Sequence, residues 1–453
     1  MKRDGLKRWL PLALVSAVGL GGLSMQMHGD AKNLNTAKEP QIKNVIFLIG
    51  DGMGPAATTA LRYWNDDLDT VEMEKTAFDR YFVGKQMTYA DDPDENITDS
   101  ASAATAMSTG EKTYNAAIAV DNDKTELKTV LEAAKARGKS TGLVATSELA
   151  HATPASFGAH DPSRKNMNEI ASDYFDEKIN RKHKVDVLLG GGSTNFIRDD
   201  RNLVNEFKNA GYSYVTTKEQ LLHNKNEQVL GLFAKGGMPK MIDRNHDLPS
   251  LKEMTSSAIQ RLDRDKDGFF LMVEGSQIDW AEHDNDVVGT MSEMQDFEKA
   301  FQAAVQFAKK DKHTLVVATA DHSTGGLSIG ANGKYNWFSE PVKAFKRTPD
   351  FLGETIASGA DVEQTLHEYV ELALTENEVN SVKEAAKTKD MAKIDAAIEK
   401  IADLRSNTGW TTTGHTGEDV NIYAYGPGKE KFSGLINNTD QAKNIFKVIH
   451  TGK

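Results

Sequence analysis

Aspartate and histidine residues occur together at two places in the sequence, and a single histidine stands at a third, in patterns that suit a zinc site. Asp279 and His283 stand four residues apart, so on a helix they would lie on one face and could share a metal ion. Asp321 and His322 are adjacent, and carboxylate oxygens and imidazole nitrogens are both zinc ligands. His415 has small and polar neighbours that do not suit an apolar core, and it would complete a metal shell.

Two more residues could take part in this chemistry, although each has a simpler explanation. Asp51 follows an apolar run and opens an Asp-Gly-Met-Gly sequence, so it is either a metal ligand or part of a turn. Ser100 precedes small residues that predict a helix, where its hydroxyl would lie at the positive end of the helix dipole. A serine there is also a common helix N-cap. Only the predicted metal ligands elsewhere favour Ser100 as a nucleophile.

Several candidate ligands come directly after apolar segments rich in branched side chains, which predict buried strands. The predicted strands span residues 45–49, 140–145, 185–189, 269–273 and 314–319, and the predicted helices span 127–137, 250–262 and 291–309. This alternation predicts an α/β fold, a three-layer α/β/α sandwich with a large, mostly parallel central sheet. Ligands of such folds bind at the carboxyl ends of the strands, where these residues stand.

The N-terminal end of the chain and one internal segment differ from this pattern. Residues 1–24 combine basic residues with a short apolar run, which is typical of a secretory signal peptide and too short for a membrane span. We expect residues 25–42 to form a flexible lead-in and residues 43–453 to form one catalytic domain. Residues 335–407 are charged and helical, which predicts an insertion that serves as a lid or an interface. The protein is thus predicted to be secreted, to the periplasm or cell wall.

Composition narrows the classes of partner. The chain has 39% hydrophobic and 26% charged residues, as ordinary soluble globular proteins do. Its formal net charge of −12 argues against nucleic-acid binding. The chain has no cysteine, so neither disulfides nor a lipid on a signal-peptide cysteine can form.

The ordered set of short motifs resembles the bacterial alkaline phosphatase family. The motifs extend from Asp51 to Gly417, over nearly all of the chain after the predicted signal peptide. They are Asp51-Gly52-Met53-Gly54, Thr98-Asp99-Ser100-Ala101, Ser108-Thr109-Gly110, Lys112-Thr113-Tyr114-Asn115, Ala152-Thr153-Pro154, Ser163-Arg164-Lys165, Glu274-Gly275, Thr319-Ala320-Asp321-His322 and His415-Thr416-Gly417. No single motif is decisive, whereas the ordered set is specific.

The resemblance implies an activity, a set of metals and a homodimer. Ser100 would attack the phosphorus of a phosphate monoester to form a phosphoserine that water then hydrolyses, and Arg164 would bind two phosphate oxygens. A third metal site, usually Mg²⁺, would use Asp51, Thr153 and Glu274. The two zinc sites implied by the resemblance consist of Asp279, His283 and His415, and of Asp51, Asp321 and His322.

Two residues near the third site depart from the best-known members of the family. His151 and Trp280 stand where those members have an aspartate and a lysine. Because histidine prefers zinc or cobalt to magnesium, the third ion could be Zn²⁺ or Co²⁺. Trp280 lacks the positive charge of lysine, which predicts looser phosphate binding and faster product release.

Three other functions are weighed against a phosphatase. A sulfatase would need a proline and an arginine at fixed positions after the residue that becomes formylglycine, and Ser100 lacks them. Phosphodiesterase activity remains as a side activity. A phosphate-capturing or metal-storage protein would not need Ser100. No role is predicted for seven other histidines, which are His160, His183, His223, His246, His313, His367 and His450.

Overall fold

A ten-stranded sheet forms the centre of the computed structural model, which describes residues 42–67 and 69–451 and, at 450 and 451, only the backbone. The predicted signal peptide and the lead-in up to residue 41 lie outside the described residues. The strand order is β16-β2-β15-β10-β1-β9-β3-β6-β8-β7. These strands are β1 (Asn44–Gly50), β2 (Phe82–Met87), β3 (Ser140–Glu148), β6 (Val187–Gly191), β7 (Ser213–Val215), β8 (Val229–Leu232), β9 (Phe269–Gly275), β10 (Thr314–Ala320), β15 (Val420–Tyr425) and β16 (Gly434–Asn437).

Most neighbouring strands of this sheet run parallel. From β10 through β7, every pair of neighbours is parallel, whereas β15 is antiparallel to both β10 and β2. Three two-stranded ribbons complete the strands of the described residues. They are β4 (Lys178–Ile179) with β5 (Lys182–His183), β11 (Ser323–Thr324) with β14 (His415–Thr416), and β12 (Ser328–Ile329) with β13 (Thr408–Gly409). The predicted α/β class and mostly parallel sheet are confirmed.

Helices cover both faces of the sheet. Alternate residues of β1 point to opposite faces: Ile46 and Leu48 join one apolar cluster, and Val45, Phe47 and Ile49 join another. The helices are α1 (Pro55–Asn65), α2 (Ala77–Tyr81), α3 (Ser100–Thr109), α4 (Val130–Ala136), α5 (Ala152–Gly158), α6 (Met167–Asp176), α7 (Ser193–Phe196), α8 (Leu203–Asn209), α9 (Lys218–His223), α10 (Leu251–Leu262), α11 (Gln277–His283), α12 (Val287–Asp311), α13 (Glu340–Lys343), α14 (Pro349–Ala357), α15 (Val362–Tyr369), α16 (Glu376–Ala386), α17 (Met391–Ser406) and α18 (Thr439–Thr451). Two apolar layers thus enclose the sheet, as a three-layer sandwich requires.

Helix caps explain where the observed helices differ from the predicted ones. The predicted helix 127–137 begins only at residue 130, because Thr129 and Glu132 form a capping box there. The predicted helix 291–309 begins four residues earlier, because the side chain of Asp286 accepts hydrogen bonds from the first backbone amides of α12. The sequence pattern therefore located the helices, and the caps set their ends.

The segment 335–407 contains the five helices α13 to α17. Leu352 of α14 and Ile398 of α17 belong to the same apolar cluster as Met294 of α12, and α17 contacts α12. The segment thus packs on the face of the sheet that α12 covers. Its role as a lid or an interface stays a prediction. Within the described residues, no helix has the length and apolar character needed to cross a bilayer.

Candidate active site

Strands β1, β9 and β10 are neighbours, and their carboxyl ends carry three of the candidate ligands. Gly50 pairs in register with Gly275 of β9 and Ala320 of β10. Asp51 and Asp321 are therefore the first residues after two adjacent strands, and Glu274 lies at the end of the strand on the other side of β1. All three carboxylates are fully buried. Parallel pairing thus brings Asp51 together with two side chains that lie more than 200 residues away in the sequence.

Ser100 begins helix α3 and faces these carboxylates. Asp99 is the N-cap, since its carboxylate accepts a hydrogen bond of 2.9 Å from the Ser102 amide. Ser100 is therefore the first helical residue, and the N-cap role that the sequence also allowed for it belongs to its neighbour. Its hydroxyl lies 3.2 Å from Nε2 of His322 and 3.5 Å from Oδ1 of Asp51.

The structure brings together three groups of candidate metal ligands around this serine. In each group, one ligand atom per residue lies within 4.8 Å of the others. Two groups are the predicted zinc sites, and the third joins His151 to Asp51 and Glu274 of the predicted third site. The groups are Asp279, His283 and His415; Asp51, Asp321 and His322; and Asp51, His151 and Glu274.

Backbone carbonyls orient two of the imidazoles. Nδ1 of His283 lies 2.6 Å from the Thr413 carbonyl, and Nδ1 of His415 lies 2.8 Å from the Thr98 carbonyl. Because a carbonyl can only accept, each Nδ1 carries the hydrogen. The two Nε2 atoms then face each other at 3.2 Å with their lone pairs. They can approach so closely only around a shared proton or a metal ion.

A hydroxyl orients the third imidazole. Thr324 donates a hydrogen bond of 2.5 Å to Oδ1 of Asp279, and its oxygen lies 3.2 Å from Nδ1 of His322. Since the hydroxyl hydrogen is used on Asp279, Nδ1 of His322 is the donor to Thr324. Its Nε2 lone pair then faces Oδ1 of Asp51 and Oδ2 of Asp321, each at 3.3 Å. Thr324 therefore couples one predicted zinc site to the other.

The electrostatics of the site are those of a cation site. Burial, together with the charges of Asp321, Asp279 and Glu274, raises the pKa of Asp51 well above its ordinary value. Burial lowers the pKa of His322 to about 4. His283 differs, because its hydrogen bond with Asp279 raises its pKa to about 9. Without a metal, protons must supply the positive charge that these carboxylates require.

Unpartnered polar atoms test whether metal ions suit these residues. Four buried side-chain oxygens have no hydrogen-bond partner, namely Oδ2 of Asp51, Oδ2 of Asp321, Oε1 of Glu274 and Oγ1 of Thr153. Buried oxygens normally have partners, and leaving one without costs about 1–3 kcal/mol. Oxygens with imidazole nitrogens are the ligands of Zn²⁺, and an oxygen set suits Mg²⁺. The residues therefore fit divalent metal ions.

Arg164 lies beside the nucleophile and is held by two residues. Its Nη1 lies 2.9 Å from Oδ2 of Asp99, and its Nη2 lies 3.0 Å from Nε2 of His151. Burial, with the charge of Arg164, lowers the pKa of His151 to about 3, so that imidazole is neutral and accepts the hydrogen bond. Trp280 meets the ring of His151 edge-on with centroids 5.6 Å apart. Each guanidinium nitrogen that is held keeps a second N–H free for a phosphate oxygen.

Sequence reasoning missed the residues that support the ligands. Asp99 was part of the motif Thr98-Asp99-Ser100-Ala101 and had no predicted role of its own, although it caps α3 and binds Arg164. Sequence reasoning did not single out Thr324, whose Ser-Thr-Gly-Gly context carries no ligand pattern. The adjacent Asp-Ser pair could have drawn attention to Asp99, whereas the contacts of Thr324 depend on the fold.

A fourth group of metal-binding residue types, which we name the His160 cluster, lies apart from these three. It consists of Glu132, His160 and Glu177, with Lys184 between the two glutamates. Lys184 is only 1% exposed; it forms an ion pair with Glu177 and lies 3.6 Å from Oε1 of Glu132. Since the ammonium group of Lys184 already supplies the positive charge between the two glutamates, the cluster is an ion-pair network.

Comparison with known proteins agrees with this geometry. The model of the alkaline phosphatase family matches residues 42–451. Alkaline phosphatase 3 of Bacillus subtilis (strain 168) is 65% identical over 448 residues, which cover 98% of this chain and 97% of the relative. Alkaline phosphatase 4 of the same organism is 58% identical over the same shares. The crystal structure of a cold-active alkaline phosphatase from the psychrophile Shewanella sp. matches with a TM-score of 0.85 and 41% identity, covering 90% of this chain and 99% of that chain.

The fold and the site define a hydrolase of a metal-dependent α/β family. The chain belongs to the alkaline phosphatase family, and its activity is that of a phosphoric monoester hydrolase. The resemblance based on the ordered motifs is thereby confirmed.

Proposed function

We propose that the protein hydrolyses phosphate monoesters to an alcohol and inorganic phosphate through a phosphoserine on Ser100, assisted by two zinc ions and a third metal. The observation that carries this proposal is the position of Ser100. Its hydroxyl lies at the N-terminus of α3, 3.2 Å from Nε2 of His322, beside two groups of zinc-binding side chains. A protein that only captured phosphate would have no use for a nucleophile there.

Residues of this chain position both reacting atoms. Oγ of Ser100 loses its proton and forms a bond to phosphorus as the bond from phosphorus to the alcohol oxygen breaks, and the departing oxygen takes up a proton. Water then attacks phosphorus, the bond to Oγ breaks, and Oγ takes up a proton that the water has lost. Arg164 offers its free N–H groups to two non-bridging oxygens, while Asp99 and His151 hold the guanidinium. Zinc ions bound at the two predicted sites would supply Lewis-acid stabilisation of the attacking and departing oxygens.

We assign the third metal to Asp51, Thr153 and Glu274, with His151 as a further ligand or a modulator. Oε1 of Glu274 and Oγ1 of Thr153 are buried without partners, as is Nδ1 of His151. The oxygens suit Mg²⁺, whereas an imidazole favours Zn²⁺ or Co²⁺. In the structure of the alkaline phosphatase from the Antarctic bacterium TAB5, a mutant with aspartate in place of a histidine has Mg bound in the M3 site. A His151→Asp variant therefore tests which ion the third site selects.

Three further proposals concern the whole protein. Secretion rests on the signal-peptide pattern of residues 1–24. A homodimer rests on the family, and exposed aromatic side chains offer it a surface: Tyr63 is 40% and Tyr335 is 102% exposed around one cavity, with Phe338 nearby in the chain. The segment 335–407, which contains Tyr335, is the proposed interface or lid.

The test is hydrolysis of p-nitrophenyl phosphate by the wild type and by Ser100→Ala, before and after chelation and return of zinc. We expect activity to require zinc and to fall at least about a thousandfold without the nucleophile. Ser108→Ala is the matched control, because Ser108 lies in the same helix and bonds the Ser156 carbonyl, away from the ligands. An inactive zinc-loaded wild type would reject the phosphatase mechanism in favour of a phosphate-binding protein.

A further inference from the structure

A cavity of about 590 Å³ opens directly beside the predicted zinc ligand His415. Its wall is the loop of residues 92–99, which leads from β2 into α3, together with Asn115. Thr98 and Asp99 at its inner end precede the nucleophile. Because this cavity opens beside both His415 and the residues that precede Ser100, it is the space next to the site that can receive the leaving alcohol when the phosphoryl group is on Ser100.

The wall of this cavity carries three carboxylates besides Asp99. They belong to Asp92, Asp94 and Glu95, and the lining contains no lysine or arginine. The nearby Lys112 is not part of the lining. Its amino group donates a hydrogen bond to the Tyr89 carbonyl and lies over the Tyr89 ring. The charged side chains of the lining that lie outside the predicted metal ligands are therefore all carboxylates.

Hydrogen bonds hold this acidic loop in shape. Oδ1 of Asp92 accepts from the amides of Asp94 and Glu95 at 2.9 and 3.1 Å, and Oδ2 accepts from the amide of Asn115 at 3.0 Å. These backbone hydrogen bonds lower the pKa of Asp92, which keeps it charged. Oε2 of Glu95 accepts from Nδ2 of Asn115 at 3.3 Å. The charges thus stand in defined positions instead of on a mobile loop, with the exposed side chain of Ile97 as an apolar patch between them and Thr98.

Resting on the function proposed above, we infer that this acidic pocket selects phosphate monoesters by the charge of their leaving alcohol. Amino-alcohol phosphates, whose leaving group is a cation, are favoured. Esters whose leaving group carries a carboxylate or further phosphates are disfavoured. Arg164, which Asp99 holds at 2.9 Å, attracts the phosphoryl group, whereas the carboxylates of Asp92, Asp94 and Glu95 face the leaving group.

The test compares O-phosphoethanolamine with phosphoglycolate, two esters of similar size whose leaving groups carry opposite charge. Near pH 8 the amine is protonated, because its ordinary pKa is about 10. Ethyl phosphate, with a neutral leaving group, is the reference to which each kcat/KM is normalised. The variant is Asp94→Asn with Glu95→Gln, two exposed positions. The control is Asp199→Asn with Glu376→Gln, which changes the net charge equally at two exposed positions outside the lining.

At low salt, we expect the pocket variant to lower the ratio of the normalised kcat/KM for phosphoethanolamine to that for phosphoglycolate by about threefold to tenfold. The loss of two charges several ångströms from the leaving group would produce a change of this size. The shift should shrink as the salt concentration rises from about 0.01 M to about 1 M, because the distance over which charges interact falls from about 30 Å to about 3 Å. An unchanged ratio, or an equal shift in the control, overturns the inference. If the wild type does not cleave ethyl phosphate, it is the proposed function that fails.

Discussion

The imidazoles of the site are prepared for metal binding by groups that never touch the metal. The Thr98 and Thr413 carbonyls accept hydrogen bonds from Nδ1 of His415 and His283, respectively. The Thr324 hydroxyl oxygen accepts one from Nδ1 of His322. With Nδ1 occupied in this way, each ring directs Nε2 toward the other ligands, and Nε2 is the atom that a metal ion needs. Of these partners, the Thr324 hydroxyl is a side chain and can be removed by substitution.

We predict that Thr324→Val weakens zinc binding by about tenfold to a hundredfold. Valine has nearly the shape of threonine, but it leaves Nδ1 of His322 without an acceptor and Oδ1 of Asp279 without a donor. The measurement is zinc affinity by competition with a chromogenic chelator. Thr324→Ser keeps the hydroxyl and should restore affinity to within about threefold. Equal affinities for the valine variant and the wild type would show that Thr324 does not position the ligands.

Sequence patterns predicted site residues that lie close together in the sequence, and they did not predict residues that only the fold brings into contact. Asp279 and His283 could be paired from their helical spacing, and α11 places both on the site. Thr324 and Asp99 act through hydrogen bonds to residues 45 and 65 positions away. No local pattern encodes such contacts, so sequence reasoning found the clustered aspartates and histidines and missed the residues that hydrogen-bond to them.

At the scale of elements, the turn after β1 places Asp51 against α11. Gly52 adopts a positive φ of 72°, and a Cβ at this position would lie 2.8 Å from the Cα of Asp279. A side chain here would therefore meet helix backbone, which cannot move aside alone. The glycine permits the close approach of the two predicted zinc sites.

Gly52→Ala should accordingly lower both stability and zinc affinity. The left-handed backbone costs an alanine about 1–2 kcal/mol, and the contact with Asp279 adds about 1–3 kcal/mol of overpacking. Gly333→Ala is the matched control, because Gly333 has a φ of 70° and nothing within 4 Å of the added Cβ. Thermal unfolding and zinc titration of both variants are the measurements. If the two variants behave alike, the close approach has no consequence for the metal.

The His160 cluster ties helix α4, the end of α6 and the β4–β5 ribbon together around a buried lysine. We predict that Lys184→Met destabilises the protein by about 3–5 kcal/mol, because it leaves the carboxylates of Glu177 and Glu132 without their cation. Lys346→Met removes an exposed ion pair with Glu371 and should cost less than about 1 kcal/mol. Urea unfolding of the metal-loaded protein compares them. A cost below about 1 kcal/mol for Lys184→Met would contradict the ion-pair network.

At the scale of the whole molecule, parallel pairing explains both the success and the limit of the sequence analysis. Buried apolar runs located β1, β3, β9 and β10, because strands covered on both faces are apolar throughout. The strands β2, β15 and β16 at one end of the sheet and β7 and β8 at the other were not predicted. The burial of β2, β7 and β16 is incomplete, and the buried β8 has only four residues. Edge strands carry mixed patterns that do not stand out from loops.

The buried carboxylates also make the stability of the whole protein depend on metal and pH together. Burial raises the pKa of Asp51, so the folded metal-free protein holds a proton that the unfolded chain has released above about pH 4. Stability from such a group falls as pH rises. His283 acts in the same direction: its ion pair with Asp279 stabilises fully below the unfolded pKa of about 6.5, and this stabilisation is lost as pH rises through about 9.

We therefore predict that the difference in Tm between the zinc-loaded and the chelated protein widens from about pH 6 to about pH 9. Metal ions replace the protons, and their binding to the folded state raises stability by about 4 kcal/mol at a thousand times Kd. Differential scanning calorimetry of both forms across this range is the measurement. Asp51→Asn in the metal-free protein should flatten the decline with pH, because the amide needs no proton. A constant or narrowing difference in Tm would mean that the carboxylates at the ends of β1, β9 and β10 do not repel one another in the absence of metal.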